Sequence, residues 1–128
     1  MNKLETLKHH FGHDAFRPLQ EEAVDALLQG RDLLMILPTG GGKSLCYQLP
    51  TMMMEGVTVV VSPLLALMHD QVTALREMGI GAAMLSSMQS LEESREIVGE
   101  LHRGEIRLLY VAPEKLGSEF FAGLLSQL

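Results

Sequence analysis

The chain has 128 residues, 47% apolar and 20% charged, a balance that supports a folded core and excludes disorder as the global state. Its formal net charge is −6, and no two basic residues stand closer than Arg103 and Arg107. A polybasic segment is therefore absent, and any nucleic-acid contact must come from residues that folding brings together. The single cysteine, Cys46, cannot close an internal disulfide, which fits a reducing cytosol. No stretch free of Asp, Glu, Lys and Arg is longer than Gly56–His69, too short to span a bilayer, and the first residues lack the apolar run of a signal peptide. A soluble, cytoplasmic chain with no membrane partner is expected.

In chain order, the pattern predicts two helices, Asn2–Phe11 and Pro18–Gln29, the second with Pro18 at its favoured first position and Gly30 just past its end. A buried strand follows over Leu33–Leu37, then a glycine-rich turn and a helix from Ser44 to about Met54. The run Val57–Val61 is β-branched throughout and predicts a second strand. The next helix, Leu64–Met78, places Leu64, Leu67, Met68, Val72, Leu75 and Met78 on one apolar stripe. Strand Ala82–Leu85, helix Leu91–Arg103 and strand Leu108–Val111 continue the alternation, which is the signature of a parallel α/β sheet. Phe120, Phe121, Leu124, Leu125 and Leu128 form a last apolar stripe, expected to stand exposed. There is no internal repeat and no low-complexity segment. The division expected is 1–30, a helical pair, and 31–128, the α/β part.

The turn after the first strand reads Pro38-Thr39-Gly40-Gly41-Gly42-Lys43-Ser44. Strand, glycine-rich turn and helix in that order are what a phosphate-binding loop requires. Glycines let backbone N–H groups converge on phosphate oxygens, and the helix start adds unpaired donors and the positive end of its dipole. Thr39, Gly40, Gly41 and Gly42 would cradle the phosphates and Lys43 would neutralise them, while the Ser44 hydroxyl would ligate Mg²⁺. The strict pattern asks for Gly where this chain has Leu37. The bland alternative is a flexible glycine turn with a solvent-facing lysine.

The flanks extend the pattern. Phe11-Gly12-His13-Asp14-Ala15-Phe16-Arg17-Pro18-Leu19-Gln20 lies upstream of the loop and resembles the adenine-recognition motif of the RecQ helicases. Ser44-Leu45-Cys46-Tyr47-Gln48-Leu49-Pro50 continues the loop as that family does. Val59–Leu64 followed by Met68–Val72 resembles its motif Ia, and Leu108–Leu116 its motif Ib. These matches are co-linear from about Leu7 to Leu116. The resemblance implies a P-loop NTPase fold of the RecA-like kind and an ATP-dependent DNA helicase of superfamily 2, moving 3′ to 5′ along single-stranded DNA in repair and recombination.

By that resemblance, Gln20 would pair with the adenine edge and Arg17 would lie against the base. His13 falls where family members often carry an aromatic residue. Ser62 and Pro63, with the Pro113–Glu114 turn, would grip the DNA backbone at the carboxyl edge of the sheet. From the residues alone, the bland alternative for Arg17 and Gln20 is a solvated helix start, and the two proline turns are equally well explained as strand-to-helix connections. Cys46 reads as a small buried hydrophobe, and the methionines as core filler.

An ATPase needs carboxylates for Mg²⁺ and for the attacking water, and no hydrophobic run here ends in Asp-Glu. Val111-Ala112-Pro113-Glu114 offers one Glu after Pro, and Asp70 falls mid-helix on a polar face. The expectation is the front part of a first motor domain, inactive alone, whose partners are ATP, single-stranded or partly duplex DNA and the remainder of the helicase. Alternatives in other classes are a non-catalytic nucleotide-binding module, a small phosphotransferase and an RNA helicase of the same superfamily.

Overall fold

A computed structural model describes residues 2–31, 44–87 and 89–126, which divide into two compact units, Met1–Glu55 and Gly56–Leu128. The predicted strand Leu33–Leu37 and the loop residues Thr39, Gly40, Gly41, Gly42 and Lys43 lie outside the described residues.

The described part of the first unit is helical: α1 (Lys3–Phe11), α2 (Gln20–Leu28) and α3 (Leu45–Met53). Asn2 starts α1 as a side-chain cap, its Oδ1 accepting from the Glu5 N–H at 2.8 Å, and Gly12 ends it in the left-handed conformation. Both α1 and α2 pack on α3, around a core of Leu7, Val24, Leu45 and Leu49 with Phe11, Phe16, Leu28 and Met53 against it. Lys3 Nζ spans from α1 to α2, donating to Asp25 Oδ1 at 2.8 Å and lying 3.5 Å from Glu21.

The start of α2 corrects the sequence reading. Pro18 is not the first helical residue; α2 begins at Gln20, with Leu19 as its cap at φ 71° and ψ −14°. The Gln20 N–H donates to the Arg17 carbonyl at 3.1 Å, so Arg17-Pro18-Leu19-Gln20 is a turn with the dihedrals of type II at Leu19. Proline's fixed φ suits the second position of such a turn as well as it suits a helix start. Gly30 follows α2 with φ 75°, as its place past the helix end predicts.

The second unit holds a parallel sheet of β1 (Thr58–Val61), β2 (Ala82–Leu85) and β3 (Leu108–Val111) in the order β1-β3-β2. Leu108 stands level with Thr58 on one side and with Ala82 on the other. Helix α4 (Leu65–Glu77) carries the chain from β1 past β3 to β2, and α5 (Leu91–His102) brings it back to β3. These crossovers run in opposite directions across the sheet, so right-handed connections put the two helices on opposite faces. Residues alternate accordingly: Ala83, Leu85, Leu109 and Val111 pack with Ile97 and Leu101 of α5. A short α6 (Pro113–Leu116) and α7 (Glu119–Ser126) complete the unit.

Two expectations about apolar stripes change here. Phe121 and Leu124 of α7 are buried in the α5 side of the core, so these two are not exposed as expected. On α4, Met68 and Leu75 are buried, but Leu64, Leu67 and Met78 are exposed. Leu64 and Met78 are the cap residues beyond the helix ends, and Leu67 sits one position off the buried 68–75 line. Among the described residues, every buried side-chain nitrogen or oxygen has a hydrogen-bond partner.

Candidate functional site

In the first unit, the candidate residues cluster at the start of α2. Arg17 and Gln20 are joined twice: by the turn hydrogen bond and by the Arg17 N–H donating to Gln20 Oε1 at 2.7 Å. Gln20 is buried and Arg17 is exposed, so the reading of both as a solvated helix start does not hold for Gln20. Its carboxamide is held in one orientation beside the Arg17 backbone, which is the preorganisation a base-reading amide requires. His13 is exposed just after α1, and its N–H closes that helix on the Leu7 carbonyl at 3.4 Å.

Ser44 precedes α3 with helical dihedrals, and its carbonyl accepts from the Gln48 N–H at 3.0 Å. It is half-buried, and its side chain does not cap the helix. A serine hydroxyl at the positive end of a nine-residue helix fits a role at a phosphate-bound Mg²⁺, since that ion takes oxygen ligands and the helix end favours anions. Two residues on, Cys46 is buried, and burial pushes its thiol pKa up. Among the described residues, no three His, Cys, Asp or Glu side chains group so as to hold a metal ion.

In the second unit, the candidate residues stand where the parallel strands end. Ser62 leaves β1 with its N–H on the Val111 carbonyl at 3.1 Å, and its Oγ accepts from the Leu64 N–H at 3.2 Å. Pro63 is exposed between them. On the other side of the central strand, the Ala112 N–H donates to the Leu85 carbonyl at 2.9 Å. Pro113 then opens α6 at its first position, and Glu114 follows, both exposed. The carboxyl edge thus gathers Ser62, Pro63, Pro113 and Glu114 beside the exit of β2.

Ser87, at that β2 exit, is a residue the sequence reading missed. Its N–H and Oγ–H both donate to Glu114 Oε1, at 3.3 and 3.0 Å. The Glu114 carboxyl is held below the usual carboxylate range, first by its own backbone N–H and then by Ser87. Gln89 braces the same loop, its Nε2 donating to the Met84 carbonyl at 2.6 Å and its Oε1 accepting from the Ser86 N–H at 3.2 Å. Serine and glutamine in a loop are an unspecific signal, and the pairing with Glu114 spans 27 positions.

Known proteins fit this arrangement. The family of DEAD/DEAH box helicases matches residues 17–128. The chain is 46% identical over 96% of its length to the "ATP-dependent DNA helicase RecQ" of Haemophilus influenzae and 49% identical over 96% to that of Synechocystis. It is 48% identical over 93% to the protein of the same name from Bacillus subtilis. It spans 20%, 26% and 20% of the lengths of these three relatives. Among solved structures, a hypothetical ATP-dependent RNA helicase from Sulfolobus tokodaii aligns with TM-score 0.72 and 21% identity, over 97% of this chain and 38% of that one. The DUF1998 helicase MrfA bound to DNA and AMPPNP aligns with TM-score 0.72 and 22% identity, over 94% of this chain and 18% of that one. At such identities the two structures speak for the fold, a RecA-like parallel sheet flanked by helices. Among the described residues, no helix is long and apolar enough to cross a membrane.

Proposed function

The chain belongs to the DEAD/DEAH box helicase family, and from that membership we propose that it forms the front part of the first motor domain of a RecQ-type DNA helicase. The observation that carries this reading is identity of 46 to 49% to bacterial RecQ proteins across nearly the whole chain. The family uses ATP. The parent protein couples ATP hydrolysis to 3′–5′ movement along single-stranded DNA in the cytoplasm, acting in repair and recombination. The functional division is into 1–30, which carries the adenine-recognition residues, and 31–128, which carries the phosphate loop and the DNA edge.

In this reading Gln20 hydrogen-bonds the adenine edge from the carboxamide that Arg17 already holds. Arg17 and His13 lie against the base. Thr39, Gly40, Gly41, Gly42 and Lys43 enclose the phosphates, with the Ser44 hydroxyl on Mg²⁺. Bound Mg²⁺ supplies charge neutralisation at the phosphate oxygens. Ser62, Pro63 and Pro113 present the strand ends to the DNA backbone, where α/β sheets place their ligands.

Nucleotide and DNA binding test this directly. The chain should bind a fluorescent ATP analogue in the presence of Mg²⁺, and Lys43→Ala should lose that binding while retaining the helical and sheet signals of the wild type. Hydrolysis measured with and without single-stranded DNA should show no turnover, because no Asp-Glu pair follows a buried strand in this sequence. A folded wild-type chain with no nucleotide affinity overturns the reading. DNA-stimulated turnover that disappears in Lys43→Ala would mean that carboxylates already present suffice.

A further inference from the structure

The ladder between β2 and β3 makes its last backbone hydrogen bond where the Ala112 N–H meets the Leu85 carbonyl at 2.9 Å. Beyond that point the two strand exits diverge, β2 into the 86–90 loop and β3 into α6. Glu114 reaches across this gap and takes both Ser87 donors on a single oxygen. On the opposite flank of β3, the exit of β1 is tied by the Ser62 N–H on the Val111 carbonyl and by the Leu64 N–H on Ser62 Oγ. The exits on both sides of the central strand are therefore fastened, one through a backbone donor and the other through a carboxylate.

We infer that Glu114 is a positioning residue at this edge: its carboxylate fastens the β2 exit at Ser87 to the Pro113 turn, and it does not itself contact nucleic acid. The inference rests on the reading of this edge as the DNA-binding side of the sheet. An ionised carboxylate has no proton to donate, so it cannot hydrogen-bond a phosphate oxygen, and its charge repels the phosphate backbone. What it can do is accept, and both of its structural contacts to Ser87 are of that kind. Gln89 holds the far side of the same loop on Met84 and Ser86, so Ser87 is bracketed between two fixed points. The side chains that meet the DNA backbone are then Ser62, Pro63 and Pro113, with Ser87 fastened beside them.

The test compares the wild-type chain with Glu114→Ala, Ser87→Ala, their double variant and Glu114→Gln. It uses anisotropy of a labelled oligothymidylate and amide hydrogen exchange at Ser87. Glu114 and Ser87 are both exposed, so the variants should keep the wild-type circular dichroism. Each single alanine variant should weaken DNA binding by about 3- to 10-fold, the range of one or two lost hydrogen bonds, and the double variant should be no weaker than Glu114→Ala, since Ser87→Ala keeps the backbone donor. Exchange at Ser87 should quicken in Glu114→Ala. Glu114→Gln keeps an oxygen acceptor in place and should restore both readouts. Wild-type affinity in Glu114→Ala overturns the inference and leaves the DNA edge standing. Tighter binding in both Glu114→Ala and Glu114→Gln marks the carboxylate as merely repulsive, and also overturns it. A wild-type chain that binds nucleotide but no oligothymidylate removes the DNA edge itself, and the inference with it.

Discussion

The Arg17 N–H sits 2.7 Å from Gln20 Oε1 while the Gln20 N–H sits 3.1 Å from the Arg17 carbonyl, so the two residues close a ring through backbone and side chain at once. That ring holds the carboxamide and simultaneously builds the entry to α2. In the proposed adenine role of Gln20, structure and recognition share one side chain, and substitutions probe both.

Gln20→Glu keeps an acceptor for the Arg17 N–H but replaces the amide's donor. In the proposed adenine role, affinity for an adenine nucleotide should fall by about tenfold or more, because a base-reading group that loses its matched donor discriminates poorly. Stability should fall as well, because a carboxylate replaces the amide at a buried position. Gln20→Ala should lose nucleotide affinity and also about 1 kcal/mol of stability, since it removes the acceptor that the Arg17 N–H uses. Thermal melts paired with fluorescent-nucleotide titrations would read both effects.

Leu19 holds φ 71° in the same turn, a region that L side chains other than Asn and Asp visit at a cost. Its side chain is half exposed, so little burial is at stake. Leu19→Gly and Leu19→Asn should match or exceed wild-type stability, by up to about 1 kcal/mol, and Leu19→Val should lose about 1 kcal/mol. Urea denaturation midpoints, compared at equal slope, would decide it; a stabilised valine variant would mean the turn is free to change type.

Two glycines in the second unit respond oppositely. A Cβ on Gly81 would overlap the Glu105 carbonyl oxygen, a backbone atom that cannot swing aside, and the Gly81 carbonyl also accepts from the Arg107 N–H at 2.8 Å. Gly81→Ala should destabilise the unit by about 3 kcal/mol or more. On α5, a Cβ on Gly99 meets only the tip of the flexible Arg103 side chain at 3.1 Å. Gly99→Ala should therefore stabilise by about 0.5–1 kcal/mol. Both are read from chemical denaturation of the single variants.

The Cys46 thiol titrates above its ordinary value because it is buried. A folded-state pKa above the unfolded one favours the native state while the thiol stays protonated; that stabilisation is complete below the unfolded pKa of about 8.5 and is lost as pH rises through the folded value. Native protein at neutral pH should react slowly with a thiol reagent, and reaction should accelerate sharply in denaturant. Fast labelling of the native chain would place Cys46 at the surface.

The elements legible in the sequence were those set by contiguous apolar runs. Ala82–Leu85 and Leu108–Val111 appear with the predicted bounds, because a strand buried on both faces shows no alternation to confuse its ends. The start of α2 was misread because Pro18 suits two different local structures, and only the left-handed Leu19 tells them apart. Periodicity over 64–78 counted residues that fall beyond the ends of α4, where the helical face no longer applies. At the site, Arg17, Gln20 and the proline turns carried local signals. Ser87 carried none, since its partner is 27 positions away and a serine in a loop is ordinary.

The order β1-β3-β2 also governs how this sheet comes into being. Neither outer strand pairs with the other; each has its partner in β3, the last of the three to be synthesised. Thr58 waits for a residue fifty positions later, and Ala82 for the same residue, Leu108. Among the described residues, a nascent chain that has reached α5 owns two strands with no ladder between them, one of them the β-branched run that would aggregate most readily. Pairing of these three strands is then a late event seeded by β3, and a slow one, because two long loops close together when it docks.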